Sequence, residues 1–255
     1  MDDILRVNNV MQKYQADNGE VTALEDITFR AQEGEFIAIV GPSGCGKSTL
    51  LSLIAGLETP TRGTIVVDGE PVQRVSEQVG YMLQRDNLLE WLSIWKNVLL
   101  GLKIQHKLSA KTVAYAQKLL STYGLSEFRD KYPSQLSGGM RQRVSLIRTL
   151  ATSPRLLLLD EAFSALDFQT RLSVTDDVYR ILKNEGITTL MVTHDIPESI
   201  SMADRVLVLS KRPAVIEYIH DIRFEEDCCS PLARRNNPRF GAYFNEIWRE
   251  LDVTA

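Results

Sequence analysis

A glycine-rich stretch that ends in a lysine and a serine is the first part of the sequence that could do chemistry. Residues 41–48 read Gly-Pro-Ser-Gly-Cys-Gly-Lys-Ser and fit the pattern G-x-x-x-x-G-K-[ST]. Glycines let backbone N–H groups approach phosphate oxygens, and a following helix adds the positive end of its dipole. Lys47 can reach the outer phosphates, and Ser48 offers a hydroxyl to Mg²⁺. We therefore expect a nucleotide site here.

Two acidic residues follow a run of four leucines. Asp160 and Glu161 come directly after Leu156–Leu159, a segment with the length and composition of a buried strand. In a parallel sheet, ligands bind at the carboxyl ends of the strands, so this strand can bring Asp160 beside residues 41–48. We expect Asp160 to hold Mg²⁺ through a water molecule, and Glu161 to orient or deprotonate the attacking water.

Polar residues also follow two other predicted strands. His194 comes after the strand at 188–192, where a contact with the γ-phosphate could form. Gln84 ends the strand at 79–83, from which it could reach Mg²⁺ and the attacking water. His106 and His220 have no such context and are interpreted as structural.

A second potential anion site lies further along the chain. Ser137, Gly138 and Gly139 precede a predicted amphipathic helix, which places a hydroxyl and bare amides at a helix N-terminus. One chain then carries two potential phosphate-binding sites. A head-to-tail dimer could place Ser137 of one subunit over residues 41–48 of the other.

The elements that position these residues alternate between strand and helix. Residues 4–14 and 21–29 are predicted strands, with a turn at Asn18-Gly19, and residues 36–40 form a strand that is buried on both faces. The later β-α-β alternation indicates a parallel sheet, interrupted by an inserted helical subdomain at about 86–152. The expected fold class is α/β.

Composition limits the possible functions. The chain has 255 residues, 44% hydrophobic residues and a net charge of −4, which exclude intrinsic disorder and argue against non-specific nucleic-acid binding. The apolar runs are too short to cross a membrane, and the N-terminus has no secretory pattern, so we expect a cytosolic protein. The adjacent Cys228 and Cys229 are expected to be reduced thiols.

The end of the sequence is predicted to be separate from the α/β domain. Residues 223–238 are polar and indicate a linker, and the division places the domain at 1–222 and the tail at 223–255. After the linker, apolar residues from Phe240 to Leu251 form one stripe on a helix. This helix could dock on its own chain, on a partner chain or on a membrane surface.

Together these motifs resemble the ATP-binding-cassette (ABC) ATPases. Residues 41–48 resemble the Walker A motif, 156–161 Walker B, 136–139 the family signature, and 164–167 the D-loop. The sequence departs from the usual family pattern in two places, at Met140 and within the segment 147–150. The resemblance implies a P-loop, RecA-like parallel sheet with an N-terminal antiparallel β subdomain and an inserted helical subdomain.

The resemblance also assigns roles to individual residues. Glu161, His194 and Gln84 would be catalytic, and Ser48, Gln84 and Asp160 would hold Mg²⁺. Tyr14 sits where the family places an aromatic that stacks on adenine. ATP contacts are expected at Tyr14, Gly41, Pro42, Ser43, Gly44, Cys45, Gly46, Lys47, Ser48, Thr49, Ser137, Gly138 and Gly139.

Partners follow from the same resemblance. A homodimer or heterodimer of ATPase subunits would enclose two ATP molecules and drive a membrane permease, at whose cytoplasmic face the protein would lie. We expect an exposed apolar run at Leu88, Leu89, Trp91 and Leu92, which suits a groove for a permease helix, although these residues could instead pack inside the helical subdomain. An extracytoplasmic solute-binding protein would be an indirect partner.

The cargo is expected from a narrower resemblance. Residues 84–91 and 209–213 resemble importers of the nitrate, sulfonate and taurine group, which includes transporters of bicarbonate and vitamin precursors. Two other functions are alternatives to transport. A soluble ATPase acting on DNA or ribosomes would need a long coiled coil or a second cassette, and a cassette that binds ATP without hydrolysis would not need Glu161 and His194.

Overall fold

The computed structural model describes residues 3–16, 19–225 and 230–254, and it contains two sheets. An antiparallel sheet has the strand order β2-β1-β4-β5, and a six-stranded sheet has the order β10-β9-β3-β8-β7-β6, in which only β10 is antiparallel to its neighbour. The strands are β1 (Asp3–Ala16), β2 (Gly19–Gln32), β3 (Phe36–Val40), β4 (Arg62–Val67), β5 (Glu70–Pro71), β6 (Val79–Met82), β7 (Leu156–Asp160), β8 (Thr188–Val192), β9 (Arg205–Leu209) and β10 (Ile216–Asp221).

Helices follow most strands of the six-stranded sheet and fill the expected insertion between β6 and β7. They are α1 (Lys47–Ile54), α2 (Ile94–Val98), α3 (Leu100–Ile104), α4 (Ala110–Thr122), α5 (Gly138–Leu150), α6 (Phe168–Glu185), α7 (Ile196–Met202), α8 (Pro231–Arg235) and α9 (Phe240–Thr254). Side chains at Ser109, Ser137, Asp167 and Asp195 cap α4, α5, α6 and α7, which fixes where these helices begin. The α/β fold with its antiparallel sheet and helical insertion is confirmed.

The central strand β3 is apolar throughout because it supports a hydrophobic core on each face. Phe36, Ala38 and Val40 join the core beneath the helical insertion and the C-terminal helices. Ile37 and Ile39 join the core between the antiparallel sheet and α1. Since side chains alternate along a strand, a strand buried on both faces has no polar positions. The continuous run therefore holds the start of residues 41–48 rigidly.

The polar segment after β10, interpreted from its composition as a linker, contains a short helix. Residues 231–235 form α8, and the side chain of Arg234 is only 8% exposed. Ile247 of α9 is fully buried in the core that contains α7, so α9 docks on its own chain. The guanidinium of Arg234 is buried against backbone carbonyl oxygens rather than hydrated. The division of the chain at residue 222 stays a prediction. Cys228, Cys229 and Asn18 lie outside the described residues.

Across residues 3–16, 19–225 and 230–254, we find no helix whose length and hydropathy would suit a membrane span.

Candidate functional site

Residues 41–48, named the P-loop from here on, connect β3 to α1. Gly44 and Gly46 have φ values of 73° and 123°, which L-residues with a side chain rarely adopt. A Cβ on Gly46 would also lie 2.8 Å from Cδ2 of Leu24. The loop can therefore follow this tight path at the N-terminus of α1 only with glycine at position 46. The path leaves backbone N–H groups near the helix N-terminus, as an anion site requires.

Lys47 lies inside the P-loop. Its Nζ donates hydrogen bonds of 2.8 Å to the carbonyl oxygens of both Gly41 and Pro42, and the residue is 7% exposed. The ammonium group is thus fixed within the loop, where it supplies positive charge. Cys45 is buried beside it, and burial raises the pKa of the Cys45 thiol. This favours the interpretation of Cys45 as a small packed residue over that of a reactive thiol.

Asp160 binds two hydroxyl groups at the carboxyl edge of the sheet. Ser48 Oγ donates to Oδ1 of Asp160 at 3.0 Å, and the Tyr81 hydroxyl donates to Oδ2 at 3.0 Å. Burial, with a smaller effect of the Asp160 charge, raises the pKa of Tyr81, so the phenol stays protonated and donates. Hydroxyl and carboxylate oxygens are ligands that suit Mg²⁺, so Ser48 and Asp160 fit this ion.

Glu161 and His194 lie together at the ends of the neighbouring strands β7 and β8. Nδ1 of His194 is 3.2 Å from Oε2 of Glu161. The backbone of Glu161 has a φ of 47°, uncommon for a residue with a side chain, and its N–H donates to Val192 O at 2.9 Å. The parallel register between β7 and β8 therefore sets the distance between the two side chains.

Gln84 is linked to Glu161 through the D-loop, residues 164–167. Nε2 of Gln84 donates to Ser164 Oγ at 3.1 Å, and this hydroxyl donates to Glu161 O at 2.9 Å. The structure thus brings Gln84 near the acidic edge. Whether it contacts Mg²⁺ remains a prediction.

Tyr14 lies on β1, and its side chain is partly exposed. Its hydroxyl donates to Glu58 Oε2 at 2.5 Å, and Thr49 in the first turn of α1 also contacts it. Burial, together with Glu58, raises the pKa of Tyr14. The ring is therefore held beside α1, and adenine stacking remains a prediction.

The signature loop, residues 137–139, begins α5. Ser137 Oγ accepts a hydrogen bond from Met140 N at 3.3 Å. A Cβ on Gly139 would lie 2.8 Å from Cγ2 of Val174 on α6, so close packing explains why this residue is glycine. This packing holds the signature loop beside the D-loop, which precedes α6. Gly138 of the signature loop faces Leu166 of the D-loop.

Arginines of α5 bind the segment that follows Gln84, which the sequence analysis missed. Arg141 donates to Asp86 at 2.8 and 3.1 Å and to Glu90 at 2.6 Å. Arg148 donates at 2.7 Å to the carbonyl oxygens of Asp86 and Asn87. Burial alone would raise the pKa of Asp86, but hydrogen bonds from Arg141 and from the Leu88 N–H lower it. Arg148 carried no sequence signal of this contact, because arginine is the usual residue at its position in the segment 147–150.

The apolar segment 88–92 is only partly exposed, contrary to the expectation of an exposed run. Leu88 is buried and packs in the core under the helical insertion, whereas Trp91 is 73% exposed. Buried Asn97 shapes the segment, since its amide binds the backbone of Leu89 and Leu92. Trp91 is thus the residue of this segment that is most available to a partner.

Comparison with known proteins places the chain in a family. Residues 24–164 match the family model described as ABC transporter. The chain is 48% identical to the uncharacterized ABC transporter ATP-binding protein YtlC of Bacillus subtilis over 97% of this chain and 95% of the relative. It is 40% identical to the nitrate import ATP-binding protein NrtD of Synechocystis over 95% of this chain and 93% of the relative.

The same family contains a solved structure similar to this fold. The ATP-binding cassette MJ0796, solved as a dimer in a post-hydrolysis state bound to ADP and Pi, superposes with a TM-score of 0.72 and 30% identity. The match covers 86% of this chain and 99% of the other. The expected resemblance to the nitrate, sulfonate and taurine importer group is also confirmed, since relatives carry these names.

Proposed function

The chain belongs to the ABC transporter family of ATP-binding proteins, and we propose that it hydrolyses ATP to drive uptake of a small solute through a separate permease. The observation that carries this proposal is that two pairs of side chains lie at one edge of the sheet. Ser48 binds Asp160 at 3.0 Å, and Glu161 lies 3.2 Å from His194. The first pair suits the metal that accompanies a nucleotide, and the second suits activation of water.

The P-loop would hold the triphosphate. Its backbone N–H groups and the N-terminus of α1 would bind phosphate oxygens, and Lys47 would neutralise charge on the outer phosphates. Mg²⁺, when bound, would neutralise charge that develops on the phosphate oxygens. Ser48 and Asp160 are the residues that would hold it, with Gln84 as a further candidate.

Glu161 would act on the water that attacks the γ-phosphate. Its carboxylate can orient the water and accept its proton, and His194 beside it can donate a hydrogen bond to the γ-phosphate. His194 is exposed on its other side, so a nucleotide can approach it. Both side chains extend from strand ends that the sheet holds in register, which limits the reorganisation needed for reaction.

Catalysis would need two chains. Ser137 and its glycines would close over the triphosphate in the P-loop of a partner subunit, so that a dimer encloses two ATP molecules. The dimeric relative supports this arrangement. The partner would be an identical chain or a related one. ATP-driven closure would then move permease subunits, with Trp91 in the contact, and place the protein at the cytoplasmic face of the membrane.

The cargo would be a small anion of the nitrate, sulfonate or taurine class, or a vitamin precursor. The name of the Synechocystis relative, nitrate import ATP-binding protein, supports an anion. The ATPase chain touches the permease rather than the cargo, so the site itself carries no cargo chemistry.

A single substitution tests the hydrolytic role. Glu161→Gln keeps the shape of the side chain but removes the base, so ATP binding should persist while kcat falls at least about 100-fold. The dimer should then remain closed around ATP. The measurements are phosphate release, ATP affinity and molecular mass with ATP. Glu127→Gln, an exposed carboxylate on the helical insertion, is the control and should match the parent. Parental turnover by Glu161→Gln would refute the base assignment.

A further inference from the structure

The turn between β9 and β10, residues 210–215, lies against the P-loop and is called the flanking turn here. It overlaps the segment 209–213, which resembles the nitrate, sulfonate and taurine importer group. β9 is the parallel neighbour of β3, so the two strands end at the same edge of the sheet. The flanking turn therefore begins beside the start of the P-loop.

The P-loop is closely packed at its two ends. A Cβ on Gly41 would lie 3.0 Å from Leu209 Cβ and 3.1 Å from Leu209 O, at the end of β9. A Cβ on Gly46 would lie 2.8 Å from Cδ2 of Leu24 on β2. The path of the loop is thus set by β9 where it begins and by β2 near α1.

Hydrogen bonds fix the flanking turn to β2 and close it on itself. Ala214 is fully buried, its N–H donates to Ala23 O at 3.0 Å, and its carbonyl oxygen accepts from Glu25 N at 2.9 Å. Within the turn, Ser210 N donates to Val215 O at 3.0 Å, and Ser210 Oγ accepts from Val215 N at 2.9 Å. The backbone is therefore held on both sides of the centre of the turn.

Arg212, in the middle of the flanking turn, reaches the middle of the P-loop. Its Nη2 donates a hydrogen bond of 2.7 Å to the carbonyl oxygen of Gly44. Hydrogen bonds with a charged donor and this length are among the stronger ones in proteins. Gly44 is exposed, and a Cβ there would meet nothing within 4 Å. Packing therefore restrains this part of the loop less than its two ends, and the hydrogen bond from Arg212 supplies a restraint instead.

The Gly44 carbonyl also determines where the next N–H points. The C=O and N–H of a planar trans peptide point in opposite directions, so the Cys45 N–H points away from Arg212. It donates at 3.3 Å to Pro42 O, a carbonyl oxygen that also accepts from Lys47 Nζ at 2.8 Å. A length of 3.3 Å is long for an N–H···O bond, so an anionic oxygen can replace Pro42 O as the acceptor. The hydrogen bond from Arg212 thus directs an N–H group that a phosphate in the loop would use.

We propose that Arg212 is a positioning residue, which holds the Gly44 peptide so that the Cys45 N–H faces the phosphates of a bound nucleotide. This inference rests on the proposed binding of ATP at the P-loop. It assigns the flanking turn a role in nucleotide affinity, whereas Glu161 and His194 keep their proposed roles in hydrolysis. Because the turn is already fixed to β2, Arg212 orders the loop before the nucleotide arrives, and preorganisation lowers the cost of binding.

Nucleotide affinity and steady-state kinetics of the full-length protein test the proposal. Arg212→Ala should raise the KM for ATP at least about threefold, because binding must then order the loop, while kcat stays within about twofold of the parent. In a Glu161→Gln background, the Kd for ATP should rise by the same factor. Arg212→Lys should recover most of the affinity, since an ammonium group can donate to the same carbonyl oxygen. Arg223→Ala removes an exposed arginine whose side chain pairs with Asp221, and it should behave as the parent.

The outcomes separate the role of Arg212 from the hydrolytic mechanism. Parental KM and Kd values in Arg212→Ala, with Glu161→Gln inactive, would overturn the positioning role and leave the proposed function intact. A loss of kcat at unchanged ATP affinity would overturn it as well. If Arg212→Ala loses affinity, kcat and thermal stability together and Arg212→Lys recovers none of them, Arg212 serves folding and the proposal fails. ATP turnover that does not depend on Glu161 would instead refute the proposed function.

Discussion

The surroundings of a single side chain control its charge. Glu198 on α7 is one case, because burial raises its pKa to about 7, with Asp195 adding to the shift and Thr193, Arg171 and Arg235 opposing it. A buried carboxyl of this kind is partly protonated near neutral pH. The cations Arg171 on α6 and Arg235 on α8 offset only part of this shift.

The pH dependence of folding should report this group. The folded pKa of Glu198, about 7, lies above its ordinary value of 4.5, so its stabilising contribution is complete below pH 4.5 and is lost as the pH rises through 7. Glu198→Gln should lack this loss. Relative to the parent, the variant should gain on the order of 2 kcal/mol in unfolding free energy between about pH 5 and about pH 8.

Urea unfolding at both pH values measures the difference. Glu217→Gln, an exposed carboxylate on β10, is the matched control and should follow the parent at each pH. Identical pH dependence in Glu198→Gln and the parent would show that Glu198 keeps an ordinary pKa in the folded chain.

At the level of elements, close contacts between helices fix the two loops that would surround a nucleotide. α5 approaches α6 at Gly139, and the arginines of α5 bind the segment after Gln84. The signature loop therefore belongs to a rigid unit with the D-loop and the segment 86–90. Such a unit can move as one body when a dimer closes.

Gly139→Ala should disturb this unit. The added Cβ would lie 2.8 Å from Val174 Cγ2, so α5 and α6 must separate, at a cost of about 1–3 kcal/mol in unfolding free energy. Gly241→Ala is the matched control. A Cβ there meets nothing within 4 Å, and alanine should add about 0.5 kcal/mol to helix stability. The urea midpoints of both variants are the measurement, and equal midpoints would contradict the packing argument.

An element could be predicted from the sequence where residues close to one another in the chain determine its structure. The strand ends at Asp160 and His194 follow from apolar runs of strand length, and parallel pairing then brings their side chains together. Arg234 could not be placed, because a buried arginine and a hydrated one look alike in a polar segment. Leu88 was misplaced for the related reason that an apolar side chain in a loop can face either core or solvent.

Across the whole molecule, one chain holds a complete P-loop and a complete signature loop on different elements. The P-loop joins β3 to α1, and the signature loop begins α5 in the helical insertion. Under the proposed function, these two loops act on the same ATP only when they come from different chains. A head-to-tail dimer meets this requirement twice by symmetry.

Complementation between two inactive variants is the most direct test of this claim. Lys47→Ala should disable the P-loop, and Ser137→Ala should disable the signature loop, so each variant alone should hydrolyse ATP poorly. In a mixed dimer, one site combines both defects, and the other pairs an intact P-loop with an intact Ser137. An equimolar mixture should therefore recover about a quarter of the parental ATPase rate. A mixture no more active than the average of its separate components would contradict the account.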